Sequence, residues 1–322
     1  MREKTELASA RMAKNPHSWL ATSTTNNDDG KSCREACTHA EKDSDAQWRQ
    51  VLALLAGERS MNTIAISNQK GGVGKSTLTV LLAHWLADKQ GQRVAVLDLD
   101  SQCNTSKTLA KYACGIETTT LFEPAPIAIS ADANERLVLF AGSKALADLE
   151  RGKPESLFPA FREHVGAIGR HFDAIVIDTP PALGLRMGAA LYAADYVLCP
   201  IELEEFSLDG VTDMLKTIFG MRQKHNPGLK LLGILPNRFN PHSVRQKEAL
   251  ENLLANYAEF VVPTKISTRS AIPEALAAGV PVWRLAKSSA REANAEVHRA
   301  FELLREKMGG LRPAMAGVSD EG

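Results

Sequence analysis

A glycine-rich run from Ser67 to Thr77 constrains the fold of this sequence more than any other feature. The run reads SNQKGGVGKST; it follows an apolar segment predicted to be a strand over 62–67 and opens a helix predicted over 77–89. Its glycines allow backbone N–H groups to approach and surround phosphate oxygens, and the helix N-terminus adds a partial positive charge. The chain is therefore expected to place a strand, a tight loop and a helix in succession, with an anion at their junction.

The loop contains two lysines. Lys75 stands before Ser76, as in a P-loop, where the lysine reaches the β- and γ-phosphates and the hydroxyl binds Mg²⁺. The usual pattern, G-x-x-x-x-G-K-[ST], has its first glycine replaced by Gln69, and Lys70 follows directly. The predicted ATP-binding residues of the loop are Lys70, Gly71, Gly72, Val73, Gly74, Lys75, Ser76 and Thr77.

Apolar strands alternate with helices from residue 62 onward. Strands are predicted over 62–67, 93–99, 136–141, 172–177, 194–200, 231–236 and 259–262, and helices over 77–89, 155–169, 208–224, 243–257 and 292–308. The content of 44% hydrophobic and only 6% aromatic residues suits the same class. The pattern predicts an α/β fold of the P-loop NTPase type, with a mostly parallel, twisted sheet covered by helices on both faces.

Composition divides the chain into three parts. Residues 1–60 are predicted to be a mostly disordered extension with a short helix near 45–56, because a polar segment buries too little apolar surface to offset its ordering entropy. The ATPase domain is predicted over 61–310 and a flexible tail over 311–322. Neither a bilayer-spanning apolar run nor a signal peptide is visible, so we expect a cytoplasmic protein.

Two predicted strands end in carboxylates. The segment 94–104 reads VAVLDLDSQCN and contains Asp98 and Asp100, and the segment 173–181 reads DAIVIDTPP and contains Asp178. A carboxylate at the end of a buried strand beside a P-loop can hold the Mg²⁺ shell. Asp178 is therefore predicted to be a metal-site residue together with Ser76, with Asp178 binding through water.

These motifs resemble those of the ParA/MinD family of P-loop ATPases. The run KGGVGKS matches the deviant Walker A pattern KGGxGK[ST] at every position, and DLDSQCN resembles the family's D-x-D-P-Q-G-N segment. The resemblance implies that Lys70 crosses a dimer interface to phosphates bound by the partner, and that Asp100 positions the attacking water. Lys70, Asp100 and Lys75 are the implied catalytic residues. Cys103 stands where the family pattern has glycine.

The resemblance covers about residues 61–308 and is greatest to the ParA branch, in particular to plasmid partition proteins that carry an N-terminal extension. It implies ATP and Mg²⁺ as cofactors, an ATP-dependent homodimer, non-specific DNA binding on the nucleoid, and weak hydrolysis stimulated by a ParB-type centromere-binding protein. Asn237 stands where family members commonly read the adenine, and Pro263 where the backbone borders the base.

Charge is unevenly distributed along the chain. Residues 61–221 carry 14 basic and 19 acidic side chains, whereas residues 222–312 carry 15 basic and 8 acidic ones. Charge alone favours scattered solvated side chains, but a basic region also suits an anionic partner. Together with the resemblance, it predicts a DNA-binding surface. Its candidate residues are Arg245, Lys265, Arg269, Arg284 and Lys287.

Three other functions can be weighed on the sequence. A MinD-like membrane-positioning ATPase needs a C-terminal amphipathic helix, which the residues after Met308 do not suggest. An iron-protein reductase needs two cluster-binding cysteines, and Cys114 and Cys199 lack the required spacing. An ATP-regulated transcriptional repressor would need a helix-turn-helix within 1–60. The expected function is a partition ATPase, with no membrane partner, and repression and membrane positioning are the alternatives.

Overall fold

The computed structural model describes residues 61–129, 135–204 and 207–309. The extension predicted over 1–60, its helix near 45–56 and the tail predicted over 311–322 lie outside these ranges. None of the helices in the described part has both the length and the hydropathy needed to cross a membrane.

One parallel sheet is the centre of the described structure. Its strands are β1 (Asn62–Ile66), β2 (Val94–Asp98), β3 (Ala113–Glu117), β4 (Leu137–Ala141), β5 (Ala174–Asp178), β6 (Tyr196–Glu202) and β7 (Lys230–Asn237). They lie in the order β3-β4-β2-β5-β1-β6-β7, and every neighbouring pair is parallel. The predicted α/β fold of the P-loop NTPase type is therefore confirmed.

Helices connect these strands. They are α1 (Lys75–Lys89), α2 (Asn104–Thr108), α3 (Pro154–Gly169), α4 (Leu185–Ala193), α5 (Leu208–Lys224), α6 (Val244–Tyr257), α7 (Ala271–Ala277) and α8 (Ser288–Lys307). Short 3-10 segments span Ala110–Tyr112, Thr118–Phe122, Lys144–Arg151, Ala258–Phe260 and Val282–Arg284. Ser207 and Ser243 cap α5 and α6, because each hydroxyl accepts a hydrogen bond from the N–H three residues later.

The strands divide the hydrophobic core into two layers. Successive side chains of a strand point to opposite faces, so Ile64 packs in the layer that contains Trp85 of α1 and Phe301 of α8. Ala65, the next residue of β1, packs in the layer that contains Phe161 of α3. Burial on both faces explains why the central strands read as continuous apolar runs.

The prediction of a strand over 259–262 is wrong. Ala258–Phe260 is a 3-10 turn, and Val261 makes only an isolated bridge to Ile234 of β7. Pro263 has no N–H to continue the ladder, so pairing ends after the Val262 N–H donates to the Ile234 carbonyl at 2.9 Å. An apolar run therefore packs beside the sheet without becoming a strand.

Several elements were missed from the sequence. Strand β3 and helices α2, α4 and α7 were not predicted, and α8 begins at Ser288, four residues before its predicted start. β3 reads ACGIE and alternates exposed and half-buried positions, as a strand at the edge of a sheet can. The short helices carry too few turns for a periodic apolar pattern.

Candidate nucleotide-binding site

The strand order brings the predicted site segments together at one edge of the sheet. β5 lies between β2 and β1, and in the pairing register Asp178 is opposite both Ile66 and Asp98. The loops that follow these three parallel strands therefore leave the sheet side by side. Segments separated by up to about 110 residues in sequence become neighbours at this edge.

The glycine-rich loop turns sharply into α1. Gly74 precedes the helix with a φ of 88°, a left-handed conformation that favours glycine. A Cβ at this position would also lie only 2.3 Å from Nδ2 of Asn237, which donates a hydrogen bond to the Val73 carbonyl at 2.9 Å. The Arg238 guanidinium donates to the Gly72 carbonyl at 2.9 Å. Asn237 at the end of β7 and the following Arg238 thus hold the backbone of the loop through hydrogen bonds to its carbonyls.

Lys75 points back into its own loop. The residue is only 7% exposed, and its Nζ donates to the Lys70 carbonyl at 2.7 Å. Burial lowers the pKa of Lys75, while the charges of Asp178 and Asp100 oppose that shift. A lysine ammonium beside a glycine-rich loop at a helix N-terminus is suited to binding phosphate.

A cleft of about 540 Å³ opens over the loop. This volume falls in the range of small-molecule sites. The cleft is lined by Gly71, Gly72, Gly74, Lys75, Ser76, Thr77, Val80, Asp100, Gln102, Asn104, Lys107, Thr108, Pro181 and Leu276. Most of the loop residues predicted to bind ATP therefore face one cavity, together with Asp100.

Asp178 is fully buried at the end of β5, is not among the residues that line the cleft, and is incompletely paired. Its Oδ2 accepts a hydrogen bond from the Thr105 hydroxyl at 2.7 Å, and its Oδ1 makes no hydrogen bond of ordinary geometry with any described residue. Burial raises the pKa of Asp178 to about 7 and the charge of Asp98 adds to this, whereas the hydroxyls of Ser76 and Thr105 oppose it. A buried carboxylate oxygen without a partner, close to a serine hydroxyl, fits the oxygen ligands of Mg²⁺.

The stability of the nucleotide-free protein should depend on this carboxylate. The pKa of Asp178 is about 7 in the folded protein and 3.8 as its ordinary value, so the folded state binds the extra proton between these pH values. The contribution of Asp178 to stability should therefore fall as pH rises toward about 7 and then level off. Asp178→Asn removes the charge, so its melting temperature relative to wild type should be higher at pH 8 than at pH 5. Thermal melts without nucleotide or Mg²⁺ test this, and an equal difference at both pH values would contradict it.

The two carboxylates at the end of β2, Asp98 and Asp100, have different surroundings. Asp98 is fully buried, and its oxygens accept hydrogen bonds from Asp100 N at 3.1 Å, Ser106 N at 2.8 Å and the Ser106 hydroxyl at 2.6 Å. The Asp100 carboxylate accepts a hydrogen bond from Gln102 N, at 3.0 Å, and Asp100 lines the cleft. The structure thus places Asp100 on the cleft and Asp98 inside the supporting loop.

Cys103 occupies a backbone conformation that favours glycine. Its φ is 56° and ψ is 36°, and it stands immediately before α2. A side chain in this left-handed region costs about 1–2 kcal/mol. The turn nevertheless forms, since Cys103 N donates to the Asp100 carbonyl at 2.8 Å. The replacement of glycine therefore leaves the turn after Asp100 in place.

The side chain of Lys70 lies next to α5. Its backbone N–H donates to Oδ1 of Asn68 at 2.9 Å, and Nδ2 of Asn68 donates to the Pro200 carbonyl at 2.7 Å. A Cβ built on Gly210 would lie 3.9 Å from Cε of Lys70, so the side chain extends beside the first turn of α5. Lys70 is not among the residues that line the cleft of its own chain. Its predicted contact with phosphates of a second subunit stays a prediction.

The two residues predicted near the adenine have separate environments. Asn237 is 2% exposed and uses its amide to hold the Val73 carbonyl, whereas Pro263 is exposed after the bridge to β7. Neither residue is among those that line the cleft. Their roles toward the base stay predictions, and support of the loop is the role that the geometry gives Asn237.

The candidate DNA-binding residues do not form one patch of unpaired cations. Three of the five are paired with carboxylates: Arg269 with Glu292 and Glu296, Arg284 with Asp88, and Lys287 with Glu274. Asp88 belongs to the last turn of α1, roughly 20 Å from the loop at 1.5 Å per residue.

The other two candidates are exposed. Arg245 lies in the first turn of α6 and has no ion pair with any described residue, and Nζ of Lys265 lies 4.7 Å from the centre of the Phe239 ring. All five roles toward DNA stay predictions. Arg245 is the candidate whose charge is most available.

Sequence reasoning missed some residues that build the site. The Thr105 hydroxyl donates to Asp178, and Arg238 donates to the Gly72 carbonyl of the glycine-rich loop. Arg186 donates to the Leu99 carbonyl, next to Asp100, at 3.1 Å. Arg238 follows Asn237 directly and Thr105 follows Asn104, so proximity to a motif was an available signal. Arg186 gave no such signal, because its partners lie 36 and 87 residues away in sequence.

Comparison with known proteins gives three further findings. A family model described as "AAA domain" matches residues 61–231. Protein IncC of Escherichia coli is 40% identical over 262 residues, which is 78% of this chain and 71% of IncC. The chromosome-partitioning ATPase Soj of Thermus thermophilus is 32% identical over 228 residues, 70% of this chain and 89% of Soj.

Solved structures agree with the fold. The cobyrinic acid a,c-diamide synthase of Mycobacterium smegmatis, solved with an ATP analogue and magnesium bound, is 28% identical with a TM-score of 0.61. The match covers 80% of this chain and 99% of that one.

Proposed function

Because this chain belongs to the ParA/MinD family of P-loop ATPases, and within it to the ParA-type partition ATPases, we propose that ATP switches it between a free form and a DNA-bound dimer. The dimer binds DNA of any sequence on the nucleoid. A ParB-type centromere-binding partner accelerates a weak intrinsic hydrolysis and releases the dimer. A plasmid or chromosome is segregated by repetition of this cycle.

One observation carries the proposal: a single cleft brings together the phosphate-binding loop and the carboxylate of Asp100. Lys75 binds the β- and γ-phosphates, replacing its present bond to the Lys70 carbonyl. Asp100, which the loop leaves facing the cleft, orients the attacking water. When bound, Mg²⁺ would neutralise phosphate charge, and Ser76 and Asp178 are the residues that would hold it.

In the proposed dimer, Lys70 of each subunit acts at the nucleotide site of the other subunit. Its side chain lies beside α5 and does not line its own cleft, so within one chain it is not placed on the phosphates. A second subunit facing the cleft would supply this lysine to the γ-phosphate. Such a cation neutralises the charge that develops during phosphoryl transfer, as an arginine finger does.

DNA binding is the step that separates partition from the alternatives. Co-sedimentation with DNA should be strong with ATP and weak with ADP or without nucleotide, because a dimer presents two DNA-binding surfaces at once. Affinity for two unrelated duplexes should be equal. ATP-independent binding would contradict the switch, a preference for one operator would favour an ATP-regulated repressor, and ATP-dependent binding to lipid vesicles in place of DNA would favour membrane positioning.

Arg245→Ala should weaken binding to both duplexes alike, because an arginine bound to a phosphate reads no base sequence. The salt slope is the slope of the logarithm of the DNA-binding constant against the logarithm of the salt concentration. Its magnitude should fall by about 1 for each phosphate that the variant no longer neutralises. Arg269→Ala should have a smaller effect, since its guanidinium is already paired with Glu292 and Glu296. Titrations of both duplexes at several salt concentrations measure these changes.

Arg170→Ala provides the matched control, because it removes an exposed arginine that follows α3. This variant should keep wild-type DNA affinity and salt slope. If Arg245→Ala behaves like Arg170→Ala, the first turn of α6 is a solvated face and DNA binds elsewhere.

A further inference from the structure

An ion pair between the buried Arg186 and the exposed Glu150 lies near the nucleotide site without lining the cleft. Nε of Arg186, in the first turn of α4, donates to Oε1 of Glu150 at 2.8 Å. The same carboxylate accepts the backbone N–H of Leu185 at 2.6 Å and that of Arg186 at 3.4 Å. Glu150 therefore caps the start of α4 and fixes the arginine that the helix carries.

The other end of Arg186 reaches the loop that carries Asp100. Its Nη1 donates to the Leu99 carbonyl at 3.1 Å, and that carbonyl belongs to the peptide group that joins Leu99 to Asp100. The N–H of the same peptide group donates to Oδ1 of Asp98 at 3.1 Å. Because a peptide group is planar, bonds at both its ends fix the orientation of the backbone from which the Asp100 side chain projects.

Leu99 is also hydrogen-bonded to the end of β5. Leu99 N donates to the Asp178 carbonyl at 3.0 Å, and α4 begins seven residues after Asp178. The guanidinium of Arg186 thus connects the segment after β5 with the segment after β2. The first of these segments directly follows the proposed metal-site carboxylate, and the second carries the proposed water-orienting carboxylate.

The surroundings of the pair show that its geometry is closely constrained. Arg186 is 7% exposed, and a buried guanidinium is costly unless it is paired and hydrogen-bonded. Burial raises the pKa of Glu150, but the bonds from Arg186 and from the Leu185 N–H outweigh this and hold the pKa below its ordinary value. A Cβ on Gly184 would lie 2.2 Å from Oε2 of Glu150, so a larger residue there would require the Glu150 carboxylate to shift.

We propose that Arg186 is a positioning residue for ATP cleavage, held in place by Glu150, and that it acts by fixing the peptide group before Asp100. The proposal rests on the role of Asp100 in the proposed function. Neither Arg186 nor Glu150 lines the cleft, so neither is placed to contact a nucleotide there directly. Their loss should change the rate of cleavage and leave affinity for ATP in place.

Arg186→Met tests this, because it keeps an unbranched stem of similar length and removes every donor. Cleavage of bound ATP, measured in a single turnover with DNA present, should slow by about tenfold or more, since a misplacement of about 1 Å can cost a hundredfold. The dissociation constant of ATP should stay within about threefold of wild type. Glu150→Gln should slow cleavage in the same direction, and Arg186→Lys should retain part of the rate because one donor can still reach one of the two partners.

Arg305→Met is the matched control, since Arg305 forms an ion pair with Glu302 on α8, away from the cleft. It should cleave ATP at the wild-type rate. Wild-type cleavage by both Arg186→Met and Glu150→Gln would overturn the proposal, as would a parallel loss of affinity. If Arg186→Met does not fold, a folded Glu150→Gln decides: a normal rate overturns the proposal and a slow rate supports it. Failure of the wild type to cleave ATP would instead refute the proposed function.

Discussion

Lys75→Ala should abolish tight nucleotide binding. The Nζ of Lys75 is buried and held by the Lys70 carbonyl at the mouth of the loop, with Asp178 and Asp100 near enough to favour its charge. Removing one partner of a buried, charge-assisted contact costs about 3–5 kcal/mol. The affinity for ATP should therefore fall by roughly a hundredfold to several thousandfold. Calorimetry or a fluorescent ATP analogue measures this directly.

Lys89→Ala is the control for this substitution. Lys89 stands in the last turn of the same helix and lies over the Trp283 ring, far from the loop. It should bind ATP as the wild type does, and thermal melts should show both variants folded. Wild-type ATP affinity in folded Lys75→Ala would remove the basis for the phosphate site.

Lys70→Ala should separate binding from turnover. Because Lys70 does not line its own cleft, affinity for ATP should change little. A cation supplied by a partner to the transferring phosphoryl group contributes about 10³–10⁵ in rate, so stimulated hydrolysis should fall by about a thousandfold or more. Single-turnover cleavage and light scattering with ATP measure turnover and dimerisation separately.

A mixing experiment decides whether Lys70 acts within its own chain or across the dimer. Lys70→Ala and Asp100→Ala should each be inactive alone. In a mixed dimer, the subunit with intact Asp100 would receive Lys70 from its Asp100→Ala partner and regain one working site. With random pairing, half of the dimers are mixed, and hydrolysis should recover to about a quarter of the wild-type rate. No recovery in dimers shown to be mixed would place Lys70 in its own site.

The nucleotide loop and the central strands were predictable because their signals are local. The loop from Ser67 to Thr77 needs particular residues at particular spacings for its backbone to surround a phosphate. β2 and β5 are buried on both faces, so they appear as continuous apolar runs that end in carboxylates. In each case the residues that make the structure are neighbours in the chain.

Elements whose stability comes from distant contacts were not predictable in the same way. β3 has no apolar run and becomes a strand by pairing with β4. The apolar residues over 259–262 have strand propensity, yet the backbone makes one bridge to β7 and stops. Strand formation depends on the hydrogen bonds that a neighbour offers, and sequence propensity does not contain that information.

The features of the site also fall into those that the sequence predicted and those that only the structure showed. The sequence by itself determined a phosphate loop with two lysines, two strands ending in carboxylates and the family to which they point, because chemistry fixes residue type and spacing within a motif. Only the tertiary structure decided that Asp100 lines the cleft, whereas the Asp98 carboxylate accepts hydrogen bonds from the N–H and hydroxyl of Ser106. It alone paired Arg186 with Glu150 and Leu99. Burial and hydrogen-bond partners belong to the packed chain, and they assign different roles to residues of the same type.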